Sequence, residues 1–374
     1  MFIFHLILAT PSLFVLARWL WPLSLPWWGA GPIALLLIFV SQYHYWSRLS
    51  SGSVFAPEFP RPVVILFNWA FGTIALLAVL QFLLDLGTLT TMVARLSIVA
   101  VPDVVRYAIA GLAALVAAFG VASALRVPPV KDIEVAIRNL PPEFEGYLLL
   151  QLTDLHISRL FPENWARHVV DRANASAVDL IVVTGDFIDG SLAMRTADVE
   201  PLRDLRAPDG VYAIPGNHEY FFDYAAWMRH LAGMGIHMLE NAHVVLKRGH
   251  AGIVLAGVTD VSARSHGHPG PDLASALAGA PNDAPVILLD HQPRGAKQAA
   301  VRGVVLQLSG HTHGGMTFGL DRLVANGNGG FVRGRYEVGG MTLYVSNGTA
   351  LWPGFALRLG RPSELTRITL RGLL

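Results

Sequence analysis

The stretch Leu180-Ile181-Val182-Val183-Thr184-Gly185-Asp186-Phe187-Ile188-Asp189 decides how most of this 374-residue chain is read. A short apolar run ending in a Gly-Asp turn has the pattern of a strand buried on both faces. Such strands belong to sheets covered by helices, and their ligands gather just beyond the carboxyl ends. Working outward, residues 147–152, 211–214, 253–258, 286–289, 304–308 and 343–345 read as further strands. Helices are predicted over 164–175, 224–233, 272–278 and 296–302. This alternation predicts an α/β domain over residues 127–374, with no internal repeat.

Polar residues cluster where those strands end. The blocks are Asp154-Leu155-His156, Gly185 to Asp189, Gly216-Asn217-His218-Glu219, Asp290-His291 and Gly310-His311-Thr312-His313-Gly314-Gly315. Strand ends converge along one edge of a sheet, so blocks distant in sequence can meet in one site. Asp154 and His156 are two apart and project to one side of an extended segment, as do His311 and His313. With Asp186, Asn217 and His291 they make seven oxygen and nitrogen donors, a set suited to Mn²⁺, Fe or Zn²⁺. Seven donors exceed what one metal with an open catalytic position takes. Two metals about 3.5–4 Å apart would use them all, with Asp186 as the natural bridge. Taken singly, each block is weak, since Gly-Asp and Gly-Asn-His also make ordinary turns; the ordered set carries the reading.

Composition divides the chain in two. Residues 1–126 hold only six Lys/Arg, three Asp/Glu and two of the fourteen histidines, while the whole chain is 53% hydrophobic and 15% charged. Soluble domains carry about 25% charged residues. The net charge of +1 offers no basic field for gripping nucleic acid, and the absence of cysteine excludes disulfides, thiolate metal sites and cysteine nucleophiles. Four apolar stretches, 1–20, 27–43, 61–85 and 107–125, approach the roughly 20 residues a transmembrane helix needs. Trp19, Trp21, Trp27, Trp28, Tyr43, Tyr45 and Trp46 flank them like an interfacial belt. Residues 87–101, with Arg95 and several Thr, are expected to lie at the interface. Residues 1–126 are thus predicted to be an all-α bundle of about four transmembrane helices, making this a multi-pass protein of the cell membrane whose partner is the lipid bilayer. Arg48, Arg61, Arg126, Lys131 and Arg138 on one side against Arg18, Arg95 and Arg106 on the other favour a cytoplasmic catalytic domain.

The order D-x-H, G-D-x-x-D, G-N-H-E, H, G-H-x-H resembles the calcineurin-like metallophosphoesterase superfamily, and residues 344–348 and 357–364 resemble the end of its membrane-associated bacterial members. The resemblance covers roughly residues 130–374. It implies a four-layer α/β/β/α sandwich with a dinuclear metal site. One metal would take Asp154, His156, Asp186 and His313; the second would take Asp186, Asn217, His291 and His311. His218 would face the scissile phosphate rather than a metal, with Asp189 orienting it. Two cations neutralise phosphoryl oxygens and lower the pKa of a shared water that attacks phosphorus in line. Glu219 matches the motif and is read as support for the ligands. Arg159 and Arg358 are read as solvated arginines rather than phosphate contacts, and His266 and His268 as part of a surface loop.

These expectations amount to a membrane-anchored, metal-dependent phosphohydrolase with an open site. Tethering makes a phosphorylated lipid or a lipid-linked nucleotide, such as the diacylglucosamine intermediates hydrolysed by some relatives of this fold, a reasonable substrate class. The alternative is a receptor or transporter with a regulatory phosphoesterase-like domain. Such proteins carry polar or ionisable residues inside their spans; here His5, Asn68 and Gln81 are the main polar members, which favours an anchor.

Overall fold

A computed structural model describes residues 2–317 and 319–373. The chain divides into two compact units, Met1–Ala124 with Pro353–Leu357, and Leu125–Trp352 with Arg358–Leu374.

The first unit is helical. α1 (Phe2–Val15) runs into a π-helical turn (Leu16–Leu20), followed by α2 (Trp27–Ser41), α3 (Tyr43–Ser51), α4 (Arg61–Arg95) and α5 (Asp103–Ala124). At about 1.5 Å per residue, α4 is about 52 Å long and α5 about 33 Å, against a hydrocarbon core of about 30 Å. Among the described residues two helices, not clearly four, are long and apolar enough to cross a membrane; Leu8–Leu20 and Trp27–Ser41 are shorter apolar helices. α4 continues into the stretch 87–101 as far as Arg95, before Leu96 turns left-handed. Its Thr88, Thr90 and Thr91 hydroxyls donate back to the carbonyls of Leu84, Leu86 and Gly87, which lets a Thr-rich segment stay helical. Phe71, Ile74 and Leu77 of α4 are buried, while Leu66, Phe82, Leu83, Leu86 and Leu89 are more than half exposed.

The segment Pro353–Leu357 groups with this unit although the sequence predicts an unbroken second domain. Asn68, buried in α4, explains it. Its Nδ2 donates to Pro353 O at 2.9 Å, its Oδ1 accepts from Ala356 N at 2.6 Å, and the Tyr43 hydroxyl also donates to Pro353 O. Asn68 is thus satisfied by a loop backbone, as a buried amide must be.

The second unit runs β1 (Val130–Ile137), β2 (Leu148–Leu152), α6 (Glu163–Ala175), β3 (Leu180–Thr184), α7 (Leu192–Val199), β4 (Val211–Ile214), α8 (Asn217–Phe221), α9 (Tyr224–Gly233), β5 (His237–Met238), β6 (Ala242–Arg248) and β7 (Ala251–Gly257). It continues through α10 (Leu273–Ala276), β8 (Val286–Leu289), α11 (Ala296–Val301), β9 (Val304–Ser309), α12 (Asp321–Gly327), β10 (Gly334–Val338), β11 (Met341–Val345) and β12 (Leu365–Gly372). The strands form two six-stranded sheets, ordered β1-β12-β2-β3-β4-β5 and β10-β11-β9-β8-β7-β6. Within them β2 to β5 are mutually parallel, as are β7, β8, β9 and β11.

One apolar cluster joins the sheets face to face. Leu149, Leu180, Val182 and Ile214 from the first meet Ile253, Leu255, Ile287, Leu289, Leu306 and Leu308 from the second. On the outer face of the second sheet, Ala276 of α10 and Ala296 and Ala299 of α11 pack on Val254, Leu288 and Val345. Parallel strands need helical crossovers, and here α6 to α9 supply them for the first sheet. The result is a mixed α/β unit whose parallel strands all point their carboxyl ends the same way within each sheet.

Candidate metal centre

β2, β3 and β4 deliver the first three polar blocks, and β8 and β9 the last two. The sequence predicts a single sheet edge; the site is instead shared by two stacked sheets. Five expected ligands, Asp154, His156, Asp186, His311 and His313, have φ between 42 and 67°. Non-glycine residues reach this left-handed region at a cost of about 1–3 kcal/mol each, and they cluster at functional sites. The turn swings each side chain off the end of its strand and into the space between the sheets. Gly216 and Gly310 permit the close approach: a Cβ at Gly216 would collide with Asp186, and one at Gly310 with Thr153 and Asp154.

Two groups of donors result. Asp154, His156 and His313 offer ligand atoms all within 4.8 Å of one another, and so do Asp186, His291 and His311. Asn217 joins the second group, its Oδ1 lying 3.1 Å from His291 Nε2. Asp186 Oδ2 sits between the groups, 3.2 Å from His291 Nε2 and 3.8 Å from His156 Nε2.

The chemistry of these donors fits cations. His291 Nδ1 must donate to the Thr184 carbonyl at 2.7 Å, so in the neutral imidazole Nε2 presents a lone pair toward Asp186 Oδ2 and Asn217 Oδ1. His156 Nδ1 likewise donates to Asp189 Oδ2 at 3.0 Å, leaving Nε2 facing His313 Nε2 at 3.3 Å. With their Nδ1 atoms fixed by outer hydrogen bonds, both imidazoles aim Nε2 at the neighbouring donors, the arrangement metal ligands adopt. Without a metal, burial and the nearby positive imidazole of His291 push His311 down to about 3, while burial and His156 hold His313 well below its ordinary value. Both imidazoles are therefore neutral and available as ligands.

Asp189 also joins a third group of His and carboxylate residues, with His156 and His218. Its two oxygens are engaged separately, Oδ2 by His156 and Oδ1 by a hydrogen bond from His218 Nδ1, so it forms a hydrogen-bonded bridge between the two imidazoles. Burial opposes charge on His218, but Asp186 and Asp189 outweigh it and push its pKa up to about 9. His218 thus carries a proton at neutral pH and points Nε2 toward Asp186 Oδ2 at 4.0 Å.

Glu219 has a role that its motif could not specify. Its Oε2 accepts from Asp186 N at 3.0 Å and Gly216 N at 2.7 Å, and its Oε1 from Phe187 N at 2.7 Å. One carboxylate therefore ties the loops after β3 and β4 together beneath the ligands. Glu219→Ala orphans three buried donors at about 1–3 kcal/mol each. The expected result is an unfolding midpoint lower by at least about 6 °C in a thermal melt, with Glu219→Gln recovering part of it.

Arg358 departs from the sequence reading as a solvated residue. It is buried and donates to the carbonyls of His313, Arg361, Asn347 and Ala350, gathering three loops around His313. Arg159 is exposed, as expected. The segment bearing His266 and His268 is pinned, since Asn241 Nδ2 and Thr259 Oγ1 donate to the carbonyls of Gly270 and Pro269. Ser346-Asn347-Gly348 leads from β11 into the site, where Thr349 N and Ala350 N donate to the carbonyls of Thr153 and Asp154.

Residues 147–315 match the calcineurin-like phosphoesterase family. The chain is 35% identical over 269 residues to a transmembrane protein with metallophosphoesterase domain from Danio rerio, covering 70% of this chain and 61% of that protein. It is 36% identical over 265 residues to a protein of the same description from Bos taurus, covering 67% and 59% respectively. An uncharacterized metallophosphoesterase of Helicobacter pylori is 32% identical over 247 residues, covering 65% of this chain and 64% of its own. The chain thus spans about three fifths of the length of these relatives.

Proposed function

Through residues 147–315 this chain belongs to the calcineurin-like metallophosphoesterase family, and we propose that it is a membrane-anchored, dinuclear metal-dependent phosphoester hydrolase. The observation that carries the reading is the pair of donor groups, Asp154/His156/His313 and Asp186/His291/His311, flanking Asp186 Oδ2 beside a protonated His218. Asp154, His156, Asp186 and His313 would hold one divalent ion, and Asp186, Asn217, His291 and His311 the other, as Mn²⁺, Fe or Zn²⁺. When bound, such ions supply positive charge to the phosphoryl oxygens and an activated water. His218 contributes a proton or positive charge at the leaving oxygen, and Asp189 holds its Nδ1 so that Nε2 faces the substrate.

Two apolar helices of crossing length, together with relatives named as transmembrane proteins, support membrane anchoring. We read α1 with its π turn and α2 as two further, tilted or interfacial crossings, which gives a multi-pass topology with the catalytic unit on the cytoplasmic face. A tethered hydrolase meets phosphorylated lipids or lipid-linked nucleotides most often, and these are its proposed substrates.

The test is turnover by the full chain purified in detergent. After treatment with a chelator, hydrolysis of bis(p-nitrophenyl) phosphate should be absent, and Mn²⁺ should restore it with two ions taken up per chain. A protein that takes up no metal and turns over no phosphoester under any divalent ion sinks the proposal.

A further inference from the structure

The helical unit contains a second polar site, far in sequence from the metal ligands. Between α1, α4, the loop at Val99–Val101 and the start of α5 lies a cavity of about 610 Å³, within the usual size range of small-molecule sites. Its walls are mostly apolar, with Phe14, Phe82, Leu86 and Met92 among them, but three charged groups also line it: Arg18, Asp85 and Arg106. Ionisable residues among membrane-spanning helices are rare and mark functional sites by default.

The charges do not cancel. Arg18 Nε pairs with Asp85 Oδ2 at 2.9 Å, and Gln81 Nε2 donates to Asp85 Oδ1 at 2.8 Å, so both carboxylate oxygens are engaged. Arg106 is only 9% exposed. Its Nη1 donates to the Arg18 carbonyl at 2.7 Å and Gln81 Oε1 at 3.4 Å, while Nε is buried with no hydrogen-bond partner among the described residues. No carboxylate lies within ion-pair distance of Arg106 among the described residues, which leaves the site one net positive charge. An uncompensated buried guanidinium is costly, and an anion held in the cavity that Arg106 lines offsets that cost through charge-assisted interaction.

We propose that this cavity is a binding site for an anionic phospholipid, whose headgroup phosphate meets the Arg106 guanidinium where it lines the cavity and whose acyl chain lies along Phe82, Leu86 and Leu89. Charge complementarity selects the anion, and the apolar walls on membrane-spanning helices select a lipid over a free ion. Basic pockets between transmembrane helices recognise anionic headgroups in this way. The site rests on the membrane-anchored reading above, and it is separate from the hydrolytic centre: all its residues lie in the helical unit.

The experiment uses the full chain, delipidated in detergent and examined by native mass spectrometry with phosphatidylglycerol, phosphatidylcholine or inorganic phosphate. One phosphatidylglycerol per chain should bind at least about fivefold more tightly than phosphatidylcholine, the effect of one basic side chain. Arg106→Gln should abolish that preference. Arg95→Gln should leave it intact, because Arg95 is exposed and lies outside the cavity lining. Should Arg106→Gln fold poorly, Leu89→Trp fills the apolar part of the cavity from a position already 58% exposed, and it should weaken phosphatidylglycerol binding without touching a charge. Equal binding of the two lipids, a preference that survives Arg106→Gln, phosphatidylglycerol binding left unweakened by Leu89→Trp, or displacement of the lipid by equimolar inorganic phosphate overturns the proposal. Failure of anchoring shows separately, as failure of the chain to float with liposomes of any composition.

Discussion

Asp186→Asn should lower kcat/KM for an aryl phosphodiester by about 10³-fold, equivalent to about 4 kcal/mol at the transition state, and reduce bound metal from two ions to one or fewer. The substitution is nearly isosteric, which isolates the charge. Asp186 Oδ1 accepts from His218 N at 2.9 Å, and an asparagine oxygen retains that bond. Oδ2 is the atom that faces His291 Nε2 and His156 Nε2; an amide nitrogen placed there carries no negative charge and no lone pair for a cation. The variant should therefore fold as well as the parent while its site no longer attracts cations. Removing the carboxylate also withdraws a charge that raises the pKa of both His218 and His291. Metal content measured by elemental analysis, beside a thermal melt, separates loss of metal from loss of fold. Two ions per chain with full turnover in Asp186→Asn would remove Asp186 from the bridging position.

The polar blocks were legible because metal ligands at strand ends leave two marks in sequence: a short apolar run and a Gly-bounded turn bearing His, Asp or Asn. β3 and β4 were placed at 180–184 and 211–214, with the bounds the structure gives them. What escaped detection lacks one of those marks. β1 and β12 pair along Val130↔Leu365 to Ile137↔Gly372, and both alternate apolar with charged residues, so neither shows a continuous run. The left-handed backbone of Asp154 or His313 has no residue signature, since only glycine advertises it. Arg358 was misplaced at the surface for a related reason. Its partners are main-chain carbonyls of residues 313, 347, 350 and 361, which any sequence supplies and none announces. Apolarity likewise identified residues 1–126 as membrane-like but not how far each helix runs. That depends on where Pro22, Pro26 and Leu96 interrupt the backbone, and on Thr hydroxyls that keep α4 wound beyond Asp85.

His218→Ala should reduce kcat by about 10²–10⁴-fold, the span general acid–base groups contribute, while two metal ions stay bound and KM changes little. His218 bonds to Asp189 rather than to the two donor groups, so its removal leaves those intact. The loss should depend on the leaving group. Departing p-nitrophenolate needs no proton, whereas an alkoxide does, so a proton donor is missed far more on an alkyl phosphodiester than on the aryl one. Equal losses on both would assign His218 to charge stabilisation alone, and no loss on either would remove it from the reaction. The pH profile carries the sign. Asp186 and Asp189 raise the pKa of His218 to about 9 against the effect of burial, so its protonated form is present below that value and lost as pH rises through it. Activity should accordingly fall on the alkaline side, at or below about pH 9, because two bound cations repel the imidazolium and draw its pKa downward. Asp189→Asn removes one of the carboxylates that raise it. The alkaline limb should then move to lower pH, and a limb that stays in place would mean that some other group titrates there.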